Sequence, residues 1–312
     1  MAKAIRQIYG ETLAKLGDTH PELVVLDADV SSSTQTKFFA QAHPERFFNM
    51  GIAEANMTAA AAGLASQGFV PFVNTFAVFI SSIGLIATRA LACYANLNVK
   101  LAGAYCGMSD AFDGASHHAG EDIAVLRALP NMRLVCPADA AATEALTEYA
   151  LTSDGPCYLR LSRDAYPDLY PAGTVFEPGK GKVVREGSDV TVIACGIMVH
   201  KALEAAQALE SKGISVRVVD MYSIKPIDAE LIERCAAETG VIVTAEEHSV
   251  YGGLGSAVAE VLVKSGRPVP MEMVGLQDTF TESGPYNELL AKYGLDGAAV
   301  AAAIERALEK KA

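Results

Sequence analysis

The chain has 312 residues, of which 51% are apolar and 20% charged, and its formal net charge is −12. That length exceeds one typical domain and supplies apolar material for two cores. The acidic balance and the absence of any Lys/Arg run exclude a nucleic-acid surface, because phosphate backbones are held by clustered cations.

The N-terminal segment MAKAIRQIYGETLAKLG has the pattern of an amphipathic helix with mixed charge. It lacks the apolar block and small-residue cleavage site of a secretory signal, so the expected location is cytoplasmic. Short apolar runs at Leu23 to Leu26, Phe69 to Val73, Val99 to Ala104, Arg133 to Cys136 and Cys157 to Leu161 are predicted strands with helices between them. Such alternation predicts a mostly parallel sheet whose ligand sites lie at the carboxyl ends of its strands. Within this half, the segment NMGIAEANM at 49–57 places Glu54 at the head of a 34-residue stretch, Ala55 to Thr88, that carries no charge. Gly63, Gly68, Pro71, Asn74 and Gly84 interrupt the stretch, so it reads as helix, strand and helix buried on nearly all faces, and no membrane span is expected.

From Pro167 to Gly187 the pattern lapses into prolines and glycines, which predicts a linker. A second alternation follows. Its predicted strands are Val190 to Ala194, Ser215 to Asp220, Gly240 to Ala245 and Met271 to Val274. Its predicted helices are Val199 to Lys212, Asp228 to Thr239, Gly255 to Ser265 and an alanine-rich Gly297 to Lys311. The expected organisation is therefore two doubly wound α/β domains, 1–168 and 189–312, joined by a linker at 169–188. Six widely spaced cysteines without a CxxC pair fit small core residues in a reducing compartment.

A glutamate entering so apolar a wall is paired, neutralised or used. Glu54 has two readings: a first-turn carboxylate favoured by a helix dipole, or a carboxyl held neutral by its surroundings and able to donate a hydrogen bond to a ring nitrogen. Phe76 and Phe79 are three apart on a helical face, as ordinary core residues would be. Asp113, His117 and His118 lie in a glycine-containing loop after a predicted strand, where functional groups gather. Gly252, Gly253 and Gly255 lack the spacing of a dinucleotide fingerprint and predict a tight turn before a helix. Glu246, Glu247 and His248 form a polar knot expected near a domain or subunit interface.

GIAEANM, TFAVF (Thr75 to Phe79), DGASHH (Asp113 to His118), NMRLVCPADA (Asn131 to Ala140) and YLRLSR (Tyr158 to Arg163) together resemble the pyrimidine-binding half of a transketolase. TVIACG, VRVVDMYSIKPID and AEEHSVYGGLGSAVAE continue the resemblance through the C-terminal domain of that family, over nearly the whole chain. The diphosphate-binding half of the family, with its GDG-type motif and magnesium ligands, has no counterpart here. The chain thus resembles the C-terminal subunit of a split transketolase that needs a separate N-terminal subunit, in an α2β2 assembly paired through the pyrimidine domains.

The resemblance implies thiamine diphosphate and Mg2+ as cofactors, with metal and diphosphate bound mainly by the partner, and ketol transfer between sugar phosphates or close analogues. It implies that Glu54 contacts N1′ of the aminopyrimidine, that Phe79 stacks on that ring with Phe76 beside it, and that Asp29 approaches the cofactor, with helix capping as the other reading of Asp29. It assigns Asp113 to substrate hydroxyls and His117 to the donor's C1 hydroxyl or carbonyl oxygen. Arg6, Ser33 and Arg163 match the phosphate-end contacts, where an arginine fork suits a tetrahedral anion; a surface salt bridge is the other reading of each arginine. Ser82 stands where many transketolases have a tyrosine, and His118 where glutamine is common. Rival readings are the β subunit of a 2-oxo acid dehydrogenase, a 1-deoxyxylulose-5-phosphate synthase-like enzyme, and a regulatory subunit that has kept the fold. The segments TFAVF and DGASHH separate the chain from the first of these.

Overall fold

The computed structural model describes residues 3–311. The first half builds strands β1 (Leu23–Asp27), β2 (Phe47–Asn49), β3 (Val70–Phe76), β4 (Lys100–Ala104), β5 (Arg133–Val135) and β6 (Cys157–Arg160). The second half builds β7 (Lys182–Arg185), β8 (Val190–Ala194), β9 (Val216–Asp220), β10 (Ser223–Lys225), β11 (Ile242–Ser249) and β12 (Met271–Leu276). They form a seven-stranded sheet in the order β10-β5-β6-β4-β3-β1-β2 and a five-stranded sheet in the order β12-β11-β8-β9-β7. Pairing is parallel throughout except at β10 and β7, each an antiparallel edge strand. Two mostly parallel sheets interleaved with helices are the architecture the sequence pattern predicts.

The parallel strands are continuous apolar runs because both of their faces are covered. Strands β1, β3, β4 and β8 are buried at every residue. Pro71 is tolerated in β3 because the ladder to β4 begins only at Phe72, so its missing N–H costs no bond on that side.

Two expectations need correcting. The stretch expected to be a linker contains β7, which pairs with Asp220, Val219 and Val218 of β9; a four-residue edge strand whose partner lies some thirty residues away leaves too little local pattern to read. The uncharged stretch is not buried on nearly all faces. Ile86 is 80% exposed and Ile83 52%, and beside the stretch Ile52 is 84% and Tyr94 88% exposed. Its second helical piece is also broken, into Ala77–Ser81, Leu85–Ala87 and a wider-pitched turn, Thr88–Cys93. Among the described residues no helix is long and apolar enough to cross a membrane; the exposed apolar residues here are the material of an interaction surface.

Candidate active site

The candidate site residues gather where the strands of the larger sheet end. Asp29 and Ser33 follow β1, Glu54 opens the helix Glu54–Ser66 after β2, Phe76 closes β3 with Phe79 one turn on, Asp113 and His117 follow β4, and Arg163 follows β6. Arg6 reaches the same place from the first helix, Ile5–Gly17. Three non-glycine residues with left-handed backbone lie in these loops: Asp29 at φ 67°, Tyr105 at φ 58° and Ala111 at φ 53°. For a bulky residue such as Tyr105 that conformation is costly, and such outliers cluster where a side chain must be aimed.

Glu54 is 4% exposed. The helix it opens has no side-chain cap at its N-cap, Ala53, so the carboxylate lies in the field of bare N–H groups. Among the described residues only the Thr75 hydroxyl approaches its side chain, Oγ1 to Oε1 at 3.5 Å, a distance too long to satisfy a buried carboxyl. Thr75 precedes Phe76 in β3, so Glu54 adjoins the aromatic wall. The rings of Phe76 and Phe79 stack at 5.8 Å. Tyr105 lies 4.6 Å from Phe76, and His117 meets Phe76 and Phe79 edge-on at 5.9 and 5.4 Å. Phe79 remains partly open. These two phenylalanines thus stand together with a histidine and a carboxyl group at one end of the sheet.

Arg6 donates through Nη1 to the Tyr105 hydroxyl at 2.6 Å and the Ser33 carbonyl at 3.0 Å. Arg163 lies over the ring of the same tyrosine, its guanidinium carbon 5.7 Å from the ring centroid against 5.3 Å for that of Arg6, and its Nε is buried without a partner. Arg6, Ser33, Arg163 and the aromatic wall are therefore joined through Tyr105. Asp29 stands apart, accepting from Asn49 Nδ2 at 2.7 Å. It caps no helix: the neighbouring Asp27 instead accepts from Val30 N and from the Thr34 and Thr36 hydroxyls, while burial pushes its own carboxyl up.

The sequence matches the family described as transketolase, pyrimidine binding domain, over residues 1–168 and that described as transketolase, C-terminal domain, over residues 179–300. The chain belongs to the transketolase family. A Methanocaldococcus jannaschii chain named for the C-terminal section of a transketolase is 43% identical, covering 99% of this chain and 98% of its own length. The 6-deoxy-6-sulfo-D-fructose transketolase subunit of a Clostridium species is 38% identical over 98% of this chain and 95% of its own. A solved split gene transketolase, described as an inactive beta4 tetramer, superposes with a TM-score of 0.92 at 51% identity, both chains being covered in full.

The histidine loop of this transketolase subunit is clamped against the C-terminal sheet. At Gly114, φ 73°, a Cβ would lie 2.5 Å from Ser283 Oγ, and at Gly107, φ 59°, 2.3 Å from Glu247 Cδ; only glycine fits either position. His118 meets the C-terminal domain, Nδ1 to Thr281 Oγ1 at 2.6 Å, in the wall of a cavity that both domains line, and burial lowers its pKa. This contact joins the two domains beside His117. The polar knot does lie at the domain interface. Glu246 accepts from Leu254 N and Gly255 N, filling the helix N-terminus that follows the glycine turn. Glu247 accepts from Met108 N at 2.6 Å and Tyr286 Oη at 3.0 Å.

Sequence reasoning missed Tyr105, Asp110 and the ion pair behind the loop. Tyr105 follows β4 directly, and Asp110 stands three residues before Asp113; both positions were visible as strand-end polar groups. The pair is Arg160 with Asp122, Nε to Oδ2 at 2.8 Å and Nη2 to Oδ1 at 3.1 Å, both side chains almost wholly buried. Arg160 also donates to the Glu247 carbonyl at 2.9 Å, and Tyr158 Oη donates to Asp122 at 2.7 Å. Burial alone would raise the Asp122 carboxyl, but Arg160, His248 and Tyr158 hold it below the usual carboxylate range.

Proposed function

We propose that this chain is the C-terminal subunit of a thiamine-diphosphate-dependent transketolase, moving a two-carbon ketol unit from a ketose to an aldose once a separate N-terminal subunit completes the site. The observation that carries this reading is Glu54: a buried carboxyl left almost without a partner, next to stacked aromatic rings and an imidazole. A flat, nitrogen-bearing ring suits that cavity wall on both counts, since the carboxyl can exchange a proton with a ring nitrogen and the phenylalanines accept a ring face. When bound, the cofactor supplies the nucleophilic carbon and the electron sink for cleaving the bond between sugar carbons 2 and 3. Glu54 would face N1′ of the aminopyrimidine, and Phe79, backed by Phe76, would accept the ring face. His117 donates to the oxygen on the reacting end of the donor, Asp113 accepts from sugar hydroxyls, and Arg6, Ser33 and Arg163 hold the far end. Asp29 approaches the cofactor from the end of β1. Diphosphate and Mg2+ fall to the partner subunit, and the assembly we infer is an α2β2 heterotetramer in the cytoplasm.

The deciding experiment mixes the chain with a candidate N-terminal subunit, thiamine diphosphate and magnesium, and follows transfer from xylulose 5-phosphate to ribose 5-phosphate. Transfer by the mixture and none by either chain alone is expected. Turnover by this chain alone would overturn the two-chain reading, and carbon dioxide release from a 2-oxo acid would assign the chain to the dehydrogenase group instead. The solved split relative, an inactive tetramer of one chain type, is consistent with the expected silence of the lone chain.

Self-association should use the open apolar face of the uncharged stretch. Ile86→Asp places a charge in that stretch, where Ile83 is also exposed and Ile52 and Tyr94 are exposed just outside it. A buried unpaired carboxylate is strongly unfavourable, so the variant is expected to sediment as a monomer with an unaltered far-UV spectrum. An unchanged sedimentation coefficient would move the pairing surface elsewhere.

A further inference from the structure

The histidine loop is closed at its neck by the bridge between Gly107 and Ala119, with Ala119 N donating to the Gly107 carbonyl at 2.8 Å. Glu247 holds the same neck through Met108 N at 2.6 Å. Further along, His117 N and His118 N both donate to the Gly114 carbonyl, at 2.9 and 3.1 Å, so the two histidines sit on one tight turn. Their rings part from there. His117 meets the Phe76 and Phe79 rings edge-on at 5.9 and 5.4 Å. His118, only 6% exposed, shares its 2.6 Å hydrogen bond with Thr281, in the segment between β12 and the helix Tyr286–Lys292. Its Nε2 is buried with no hydrogen-bond partner among the described residues. Ala115, His118 and Glu121 of the loop line a cavity of about 280 Å³ together with Leu276, Thr279 and Thr281 of the second domain. Side chains cannot support the turn by packing where a cavity lies, so the Thr281 bond and the close approach of Gly114 to Ser283 set its placement on this side.

We propose that His118 is a positioning residue: through Thr281, the C-terminal domain sets where the His117 ring stands, and with it the group that meets the reacting end of the donor. Neighbours on one tight turn do not move independently, because a displaced His118 rotates the backbone that also carries His117. This gives the second domain a part in a site whose candidate residues all lie in the first. His118 touches no reacting atom in this scheme. A side chain of similar reach with both a donor and an acceptor, such as glutamine, can make the same bond to a hydroxyl in either direction. Misplacing a catalytic group by about 1 Å costs about 10²-fold, which sets the scale of the effect. The positioning itself stands on the geometry of this chain, and its consequence for the donor rests on the ketol-transfer reading.

The first test reads the position of His117 in the full chain. The chain has six histidines, so labelling Cε1 gives six NMR signals, which single substitutions assign. His117 stands edge-on to two phenylalanine rings, and its Hε1 shift therefore depends on where its ring lies against them. Thr281→Val, which keeps nearly the same shape and removes the hydroxyl, is expected to move the His117 signal, and Thr281→Ser, which keeps the hydroxyl, to leave it in place. An unmoved His117 signal in Thr281→Val overturns the proposal, and His118→Ala is read the same way should the valine variant not fold. The second test uses the assembled enzyme. In Thr281→Val and His118→Ala, kcat for transfer from xylulose 5-phosphate should fall by about 10²-fold, while KM for ribose 5-phosphate, whose far end meets Arg6 and Arg163, stays as it was. His118→Gln should recover most of the lost kcat. Equal losses in His118→Gln and His118→Ala, or a raised KM with kcat intact, overturn the positioning role. If the His117 signal moves but no ketol transfer is found, the functional reading fails and the positioning stands. If transfer is found and Thr281→Val leaves it unaltered, the reverse holds.

Discussion

Glu54→Ala is expected to abolish exchange of the C2 proton of bound thiamine diphosphate in the assembled enzyme while the fold persists. A positioned proton-transfer group contributes about 10²–10⁴-fold, so exchange measured by NMR after a deuterium quench should fall by at least two orders of magnitude. The stability change should be small, about 1 kcal/mol at most, because the side chain gives up only a favourable place at a helix N-terminus and one contact of 3.5 Å. Removing an unsatisfied buried carboxyl can even offset that loss. Glu54→Gln separates shape from proton chemistry: it fills the same space and can still donate a hydrogen bond, but it cannot release a proton. If Gln behaves as Ala does, the proton matters; if Gln restores exchange, only the hydrogen bond does. Exchange at the normal rate in both variants would remove Glu54 from the chemistry.

Asp122→Ala is expected to be the most destabilising single change at the domain interface, by about 3–5 kcal/mol. It strands the Arg160 guanidinium in the protein interior, where Nε and Nη2 lose the carboxylate oxygens at 2.8 and 3.1 Å. Tyr158 Oη loses its acceptor in the same step. Chemical denaturation followed by far-UV circular dichroism would measure the loss, and a change below about 1 kcal/mol, the range of an exposed ion pair, would show that the pair is not buried as described. Arg160 also reaches the Glu247 carbonyl, so the same variant should loosen the histidine loop. Faster hydrogen exchange at His117 and its neighbours is the corresponding readout.

The acid–base behaviour of this interface runs in two directions. Asp122 has a folded pKa below its unfolded value, so its contribution is present above about pH 4 and is lost as pH falls through the folded value. Glu247 is the opposite case: burial, opposed by Arg160, raises its carboxyl to about 7. The folded state then binds a proton that the unfolded chain has released. Its contribution is complete below the ordinary glutamate value and fades as pH rises through about 7. A denaturation midpoint that declines as pH rises from about 4.5 to about 7, levels off above that, and declines less in Glu247→Gln, is the expected pattern; equal slopes in both proteins would exclude Glu247 as the source.

Much of the fold was legible because parallel strands buried on both faces write continuous apolar runs. Val190–Ala194 was bounded correctly to the residue, and Leu23–Asp27 and Lys100–Ala104 to within one. The edge strands were not legible. Lys182–Arg185 and Ser223–Lys225 are short, only partly or locally apolar, and become strands through partners elsewhere in the chain. The same contrast holds at the site. Glu54, Phe79, Asp113, His117 and Arg163 lie within motifs, whereas Tyr105 gains its place from a left-handed backbone and two arginines that reach it from opposite ends of the domain.

By itself, the sequence determined that two α/β cores form and that one glutamate heads an uncharged wall. These follow from local patterning, which records burial residue by residue. Only the tertiary structure decided which charges meet. Asp122 comes to pair with Arg160, and Arg160 comes to bridge the histidine loop and the second sheet, through contacts between residues far apart in the chain. Electrostatic interaction depends on distance in space and on the exclusion of water, and neither quantity is written in the order of the residues.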